Sequence, residues 1–272
     1  MSKLKVRRTF LKKGTCSRTF SYILNREFDN SKEAEEQAID PLAGGIYQQG
    51  YQCGMLWGAA LALGTEAYGR KEIQGEAVAM ALIATKHMVE SFLTKSNSTE
   101  CEEITETDFG NKLQLAKYML TGKAIGCFNL AAKWAPDAIE TAHQGLALEL
   151  PPNAKESKSC ASEVVKKMGG SDEEAVMVAG FAGGIGFRGS GCGALAAAMW
   201  KITLKLVKKG EWKYSLNNPT FDELIEKFYQ ASDYEMECDK ICGKKFETVQ
   251  EHTNYLNTGG CENIIDALTQ TI

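Results

Sequence analysis

The nine cysteines are the residues of this chain best suited to chemistry, because a thiolate binds iron and soft metals and also exchanges with disulfides. Eight of them fall into two sets of four. Successive members lie 37, 48 and 26 residues apart in the first set, and 32, 46 and 23 apart in the second. We therefore predict two similar sites, whose candidate cofactor and metal ligands are Cys16, Cys53, Cys101 and Cys127, followed by Cys160, Cys192, Cys238 and Cys261.

Four thiolates are the usual ligand set of a two-iron or four-iron sulfur cluster, and also of a structural zinc site. Zinc fingers and ribbons use closely spaced Cys-x2-Cys pairs, whereas each set here is spread over about a hundred residues. Spread ligands are compatible with an iron–sulfur cluster and equally permit disulfides, such as Cys16 with Cys53 or Cys160 with Cys192. Three hypotheses stay open: an iron–sulfur protein that transfers electrons, a metal-free dithiol oxidoreductase, and a thiolate protein that holds zinc or copper.

Each second cysteine follows a glycine-rich segment, most clearly at Gly183–Cys192. The next residues, Gly193–Trp200, favour a helix, so we predict that Cys192 lies at a helix N-terminus. The helix dipole and free backbone N–H groups at such a place lower the pKa of a thiol. Cys53 and Cys192 are therefore the candidate reactive thiolates. Neither segment ends in the Gly-Lys-Ser/Thr of a phosphate-binding loop, so we expect no nucleotide.

The other polar residues indicate no second kind of site. Cys242 lies four residues after Cys238 and would share its helix face; it is a spare ligand, a resolving thiol or a core residue, and we favour the last. The histidines lack the mutual spacing of a metal site and are expected in solvated or core positions; they are His87, His143 and His252. No acid–base pair or nucleophile triad is evident, so whether the protein is an enzyme, as an oxidoreductase, stays open.

The sequence around the cysteines repeats. Ala43–Ile46 recurs as Ala182–Ile185, and a Cys-Gly pair follows each segment at the same distance. Both the segment and the pair in the second copy lie 139 residues after those in the first. Paired prolines interrupt the helical pattern near residue 151, so we predict one copy over residues 1–150 and a second over 151–272. Apolar residues recur at helical spacing in Glu76–Lys95, Phe221–Tyr229 and Ile264–Leu268, without sustained alternation. The predicted fold is all-α.

Composition excludes several classes of partner. The net charge of −4 and the lack of a basic stripe argue against binding to nucleic acid or to an anionic membrane, and no apolar run is long enough to cross a bilayer. Arg7–Lys12 looks like a twin-arginine export signal, but charged and polar residues follow it where an apolar segment should lie. We expect a cytoplasmic protein whose partner is a redox protein or a small-molecule acceptor.

With these features the chain resembles the C-GCAxxG-C-C family of redox-active proteins, which is named for four cysteines in this order. The first copy carries the resemblance in Phe10–Cys16, Gly44-Gly45, Cys53–Gly58, Cys101 and Cys127, and the second in Cys160, Gly183-Gly184, Cys192–Ala197, Cys238 and Cys261. Met55 and Ala197 depart from the family pattern at small packing positions.

The resemblance covers nearly the whole chain, twice. It implies redox activity, a helical fold and iron–sulfur binding by the eight cysteines, often in an anaerobe. Single-copy relatives would have to pair to offer two sites, whereas this chain carries both copies. We therefore expect an internal pseudo-dimer with approximate two-fold symmetry, which could assemble further into a homo-oligomer.

Overall fold

A computed structural model describes residues 2–270, with the side chains of residues 112 and 119 excepted. All regular elements in this part of the chain are helices, and it contains no strand, which confirms the all-α prediction. The first half comprises α1 (Lys3–Lys13), α2 (Cys16–Glu27), α3 (Glu33–Ala38), α4 (Gly54–Arg70), α5 (Gln74–Ser96), α6 (Cys101–Thr105), α7 (Lys112–Leu120) and α8 (Ala124–Leu146). The second comprises α9 (Cys160–Lys167), α10 (Asp172–Met177), α11 (Gly193–Lys208), α12 (Pro219–Ala231), α13 (Cys238–Cys242), α14 (Val249–Asn257) and α15 (Glu262–Thr269).

The two halves repeat one order of elements. After α1, the helices α2 to α8 correspond in sequence to α9 to α15, and a short 3₁₀ turn follows both α3 and α10, at Asp40–Leu42 and Ala179–Phe181. Single antiparallel bridges also recur, Gln52 with Glu100 and Gly191 with Glu237. The structure therefore contains two copies of one helical unit, as the repeated cysteine spacing predicts.

The helices predicted from apolar spacing are present and slightly longer than predicted. α5 contains the whole predicted segment 76–95, while α12 and α15 contain the other two. α12 begins where the Asn218 side chain accepts a hydrogen bond from the backbone N–H of Thr220 and Pro219 presets the helical φ. None of the described helices combines the length and apolar character that crossing a membrane requires.

The core is formed by the long helices α4, α5, α8 and α11. α4 is apolar on nearly all sides, which is typical of a helix surrounded by protein. Three tryptophans fill this core without exposure to solvent, namely Trp57, Trp134 and Trp200. The rings of Phe20 and Phe92 pack on Trp134 with centroids 4.6 and 4.7 Å away.

The copies exchange their short helices. α3 of the first copy packs on α11 of the second, and α10 of the second copy packs on α4 of the first. The Trp200 indole N–H donates to the carbonyl of Glu35 across this boundary at 3.2 Å, and the rings of Trp57 and Phe181 meet edge to face at 5.0 Å. Because each copy completes the core of the other, the chain is an internal pseudo-dimer.

Candidate thiol sites

Each first cysteine lies beneath a short left-handed turn of the backbone. Residues 44–48 and 183–187 all have positive φ, between 50° and 77°. This conformation costs roughly 1–2 kcal/mol for each residue other than glycine, so the glycines at the start of each turn limit the strain. The turns are anchored by Ile46 and Ile185, which are fully buried. The backbone N–H of Gly44 donates to the thiol of Cys16, and that of Gly183 donates to Cys160.

The second cysteines begin the central helices of the two copies. Cys53 is the N-cap of α4 and Cys192 is the N-cap of α11, so the predicted position of Cys192 is confirmed. A glycine must follow Cys53 because a Cβ on Gly54 would stand 2.5 Å from the sulfur of Cys16. The sequence therefore allows the first and second thiols of this copy to meet at the end of α4.

In each set, a backbone hydrogen bond connects the third cysteine to the segment just before the second cysteine. Cys101 begins α6, and its N–H donates to the carbonyl of Tyr51 at 2.7 Å. Cys238 begins α13, and its N–H donates to the carbonyl of Ser190 at 2.8 Å. Since Tyr51 and Ser190 each lie two residues before the second cysteine, the same hydrogen bond sets the spacing of the two thiols in both copies.

All four thiols of the first set lie at one cavity of about 780 Å³. The thiols of Cys16 and Cys53 are hydrogen-bonded, and the Cys127 sulfur lies 3.3 Å from the hydroxyl of Tyr118. Cys101 is close enough for its pKa to respond to the charges of Cys16 and Cys127. The structure therefore brings together the complete set of residues predicted for the first site.

The second site contains five thiols, because Cys242 joins it. The Cys242 sulfur lies 3.9 Å from that of Cys238 and 4.0 Å from that of Cys261, and the Tyr255 hydroxyl also bonds to it. Cys242 also packs against the core, so its position is compatible with each of the three expected roles, a spare ligand, a resolving thiol or a core residue. Its spacing of four residues from Cys238, which places both on one helix face, is the signal that identifies it.

The remaining predicted members of the second set also belong to this site. The hydrogen bond with Cys242 and burial raise the pKa of Cys261, and the charges of Cys160 and Cys192 raise it further, so these thiols share one electrostatic environment. The first copy has no fifth thiol, since Thr105 stands where the second copy has Cys242. The Thr105 hydroxyl donates instead to the carbonyl of Cys101 at 2.7 Å.

The pKa shifts differ in direction among the thiols of the second site. Burial raises the pKa of Cys192 to about 11, although the N–H groups of Ala194 and Leu195 act in the opposite direction. Hydrogen bonds from Cys238 and then Cys261 lower the pKa of Cys242 to about 3. A thiol beside another thiol gains a hydrogen bond that stabilises its charge, and here this outweighs the effect of a helix terminus.

The first site follows the same rule. A hydrogen bond from Cys53 lowers the pKa of Cys16, and the same bond raises the pKa of Cys53. Cys16 and Cys242 are therefore the site thiols whose pKa is lowered, whereas the pKa of the candidate reactive thiolates Cys53 and Cys192 is raised. The hydrogen bond with Cys16 and burial raise the pKa of Cys53, and burial raises that of Cys192, although both cysteines lie at helix N-termini.

The thiols of the first site line a cavity and do not converge on one point. Within residues 2–270, no three His, Cys, Asp or Glu side chains converge tightly enough to hold a single metal ion. A cluster of several irons contacts each thiolate at a different iron, so it suits thiols that line a cavity. Four thiols in each copy, with backbone N–H groups of Gly44 and Gly183 donating to two of the sulfurs, are donors that fit an iron–sulfur cluster.

Hydrogen bonds across the pseudo-dimer connect the two sites. The side chain of Gln52, next to Cys53, donates to the carbonyls of Gly184 and Gly191 at 2.9 and 3.2 Å. Those glycines lie in the segment that positions Cys192. The Ser190 hydroxyl donates to the carboxylate of Glu100 at 2.8 Å. The loops that place the thiols of one copy are thus held by the other copy.

Comparison with known proteins gives a single kind of match. The model of a family described as "Putative redox-active protein (C_GCAxxG_C_C)" matches the chain twice, at residues 15–138 and 157–272. The two matches include all eight cysteines of the predicted sets as well as Cys242. No curated protein and no solved structure matches the chain.

Proposed function

Because the chain belongs to the C_GCAxxG_C_C family, whose description supports a redox role, we propose that it transfers electrons through one iron–sulfur cluster in each copy. One observation carries this proposal. Cysteines spread over about a hundred residues are gathered by the fold into one group of buried and half-buried thiols per copy, and the described residues form no single-ion site. The ligands in the first copy would be Cys16, Cys53, Cys101 and Cys127, and those in the second Cys160, Cys192, Cys238 and Cys261, with Cys242 as a fifth thiol.

The protein groups around each site would set the properties of its cluster. A bound cluster supplies a centre that accepts and releases one electron. Backbone N–H groups of Gly44 and Gly183 and the hydroxyl of Tyr118 donate to the sulfurs, which stabilises negative charge on the thiolates. The low exposure of the thiols limits the access of water. The electron partner would be a redox protein or a small-molecule acceptor.

The test is the content of iron, acid-labile sulfide and zinc in protein purified without oxygen, with absorption spectra before and after dithionite. We expect iron and sulfide in equal amounts and a visible absorption that dithionite bleaches. The variants Cys53→Ser and Cys192→Ser should each lose about half of the iron, because each removes a ligand from one site only. Retention of all iron in both variants, or protein purified without iron and sulfide, would contradict the proposal.

A metal-free dithiol oxidoreductase is the second candidate, favoured by the hydrogen-bonded pair Cys16 and Cys53 and by the short separations around Cys242. In that reaction two thiols lose two protons and two electrons to an acceptor and form one disulfide. Colourless protein with nine titratable thiols, of which two disappear for each two-electron oxidant added, would support this function. Stoichiometric zinc or copper without a redox transition would support the third hypothesis, a thiolate metal store.

A further inference from the structure

The cavity of the first copy extends well beyond its thiols. Its volume of about 780 Å³ lies within the range of roughly 300–1,000 Å³ that is usual for small-molecule sites. Its walls are mainly apolar, and aromatic rings supply much of their area. Phe109 and Tyr118 contribute from the first copy, while Trp212 and Tyr214 contribute from the second. Such walls favour a flat, apolar molecule.

Part of this cavity is built by a segment that has no counterpart at the second site. Residues 209–218 connect α11 to α12 and reach across to the first copy, where Trp212 is nearly buried at the cavity. The corresponding connection in the first copy, residues 71–73, is too short to make a similar wall. The two thiol sites therefore differ in their surroundings as well as in their number of thiols.

One side of the cavity carries polar groups. The Asp40 carboxylate is 4% exposed, accepts a hydrogen bond from the Thr15 hydroxyl at 2.7 Å and lies 3.8 Å from an Arg18 terminal nitrogen. The Trp212 indole N–H points to the same carboxylate at 3.5 Å. The Nε–H of Arg18 is buried and has no hydrogen-bond partner among the described residues. A buried donor without an acceptor is costly, so this group would gain from a ligand oxygen.

These polar groups are also particular to the first copy. The repeat places Ala179 in the position of Asp40 and Ser162 in that of Arg18. Ser162 is already satisfied, since its hydroxyl donates to the carbonyl of Ala175 at 2.7 Å. Among the described residues, only the first site combines three features. These are the aromatic walls, the wall segment 209–218 from the other copy and the unpaired N–H of Arg18.

We propose that the cavity of the first copy binds a planar aromatic compound that carries a carbonyl or carboxylate oxygen. The ring packs between the aromatic walls, which include Tyr118 and Tyr214, and the oxygen accepts from Arg18. The proposal adds an organic ligand to the first thiol site. It rests on the shape and polarity of the cavity and does not depend on whether the thiols bind a metal.

Binding is tested with anthraquinone-2-carboxylate, a planar probe that does not alkylate thiols readily, on anaerobically purified full-length protein. Trp212 lines the cavity, whereas the other three tryptophans are fully buried in the core. We expect the probe to quench tryptophan fluorescence saturably. In the variant Trp212→Phe, titration calorimetry should still detect binding while most of the quenching is lost. Absence of saturable binding would overturn the proposal.

Two further variants test the predicted contacts by calorimetry. Tyr214→Ala should weaken binding about threefold to tenfold, the usual value of one aromatic contact. Arg18→Gln should weaken it about tenfold or more, because a hydrogen bond to a charged donor is lost. The matched control is Tyr234→Ala, since Tyr234 is exposed and lies in the second copy away from this cavity. Equal affinity in all three variants would refute the assignment.

The same samples separate this proposal from the proposed function. Iron and sulfide content and the thermal unfolding midpoint are measured on every variant, so a folding defect is recognised independently of binding. Iron-containing protein that does not bind the probe overturns only the ligand site. Binding to protein without iron supports the ligand site and counts against the clusters.

Discussion

The packing of the two copies can be tested with one added methyl group. A Cβ on Gly64 in α4 would lie 2.3 Å from the carbonyl oxygen of Met177 and 2.5 Å from that of Val176, both at the end of α10 in the other copy. Ordinary contact needs about 3.5 Å, so α10 would have to retreat by about 1 Å. Overpacking of this kind costs roughly 1–3 kcal/mol. The variant Gly64→Ala should therefore lose stability through the contact between copies.

Gly69→Ala is the matched control, because Gly69 lies in the same helix and a Cβ there would meet nothing within 4 Å. Both variants gain helix propensity, so their difference isolates the clash. At about 2–4 °C per kcal/mol for a chain of this size, Gly64→Ala should unfold about 2–12 °C below Gly69→Ala in thermal unfolding followed by circular dichroism. Equal midpoints would show that α10 does not pack on α4 as described.

Three other changes have defined outcomes. Tyr118→Phe removes the hydroxyl that bonds to Cys127, so the reduction potential of the first site should fall by about 20–60 mV in a spectroscopic redox titration, while that of the second site stays constant. Cys242→Ser should leave the iron content unchanged but alter the electron paramagnetic resonance spectrum of the second site only; an unchanged spectrum would mean that this thiol does not contact the cluster. Burial raises the pKa of Glu174, but hydrogen bonds from Lys201 and Lys208 outweigh it and lower the pKa to about 2, so the stabilisation is present above pH 4.5 and is lost as the pH falls towards 2. Glu174→Gln should therefore make the thermal unfolding midpoint depend less on pH between pH 4.5 and 2. A pH dependence equal to that of the unsubstituted protein would refute the pairing of Glu174 with the two lysines.

Local features of the fold could be predicted because they depend on neighbours in sequence. The helix over 76–95 follows from apolar spacing, and the N-cap position of Cys192 follows from glycines followed by alanines. The two cysteine sets follow from their repeated order. What could not be predicted depends on contacts between distant segments. The exchange of α3 and α10 between copies and the reach of Trp212 to the first site are of this kind.

The pKa of each site thiol was also beyond prediction from local sequence. It depends on which thiols the fold brings into contact and on how deeply they are buried, and neither is encoded in the residues beside each cysteine. The left-handed turns show the same limit, because Ile46 and Ile185 disfavour positive φ when considered alone. Their burial in the core supplies the stabilisation that holds the turn, and this can be seen only in the folded chain.

Joining the two copies in one chain permits differences that a symmetric dimer cannot have. In a homodimer every substitution appears at both sites. Here the position of Cys242 in the second copy is occupied by Thr105 in the first, and that of Asp40 in the first copy by Ala179 in the second. With the proposed cluster bound, a fifth thiolate would add negative charge to the second site, and negative charge near a redox centre disfavours its reduction. The second site should therefore have the lower potential. Electrons would then pass from the second site to the first, which is the one that opens onto an apolar cavity.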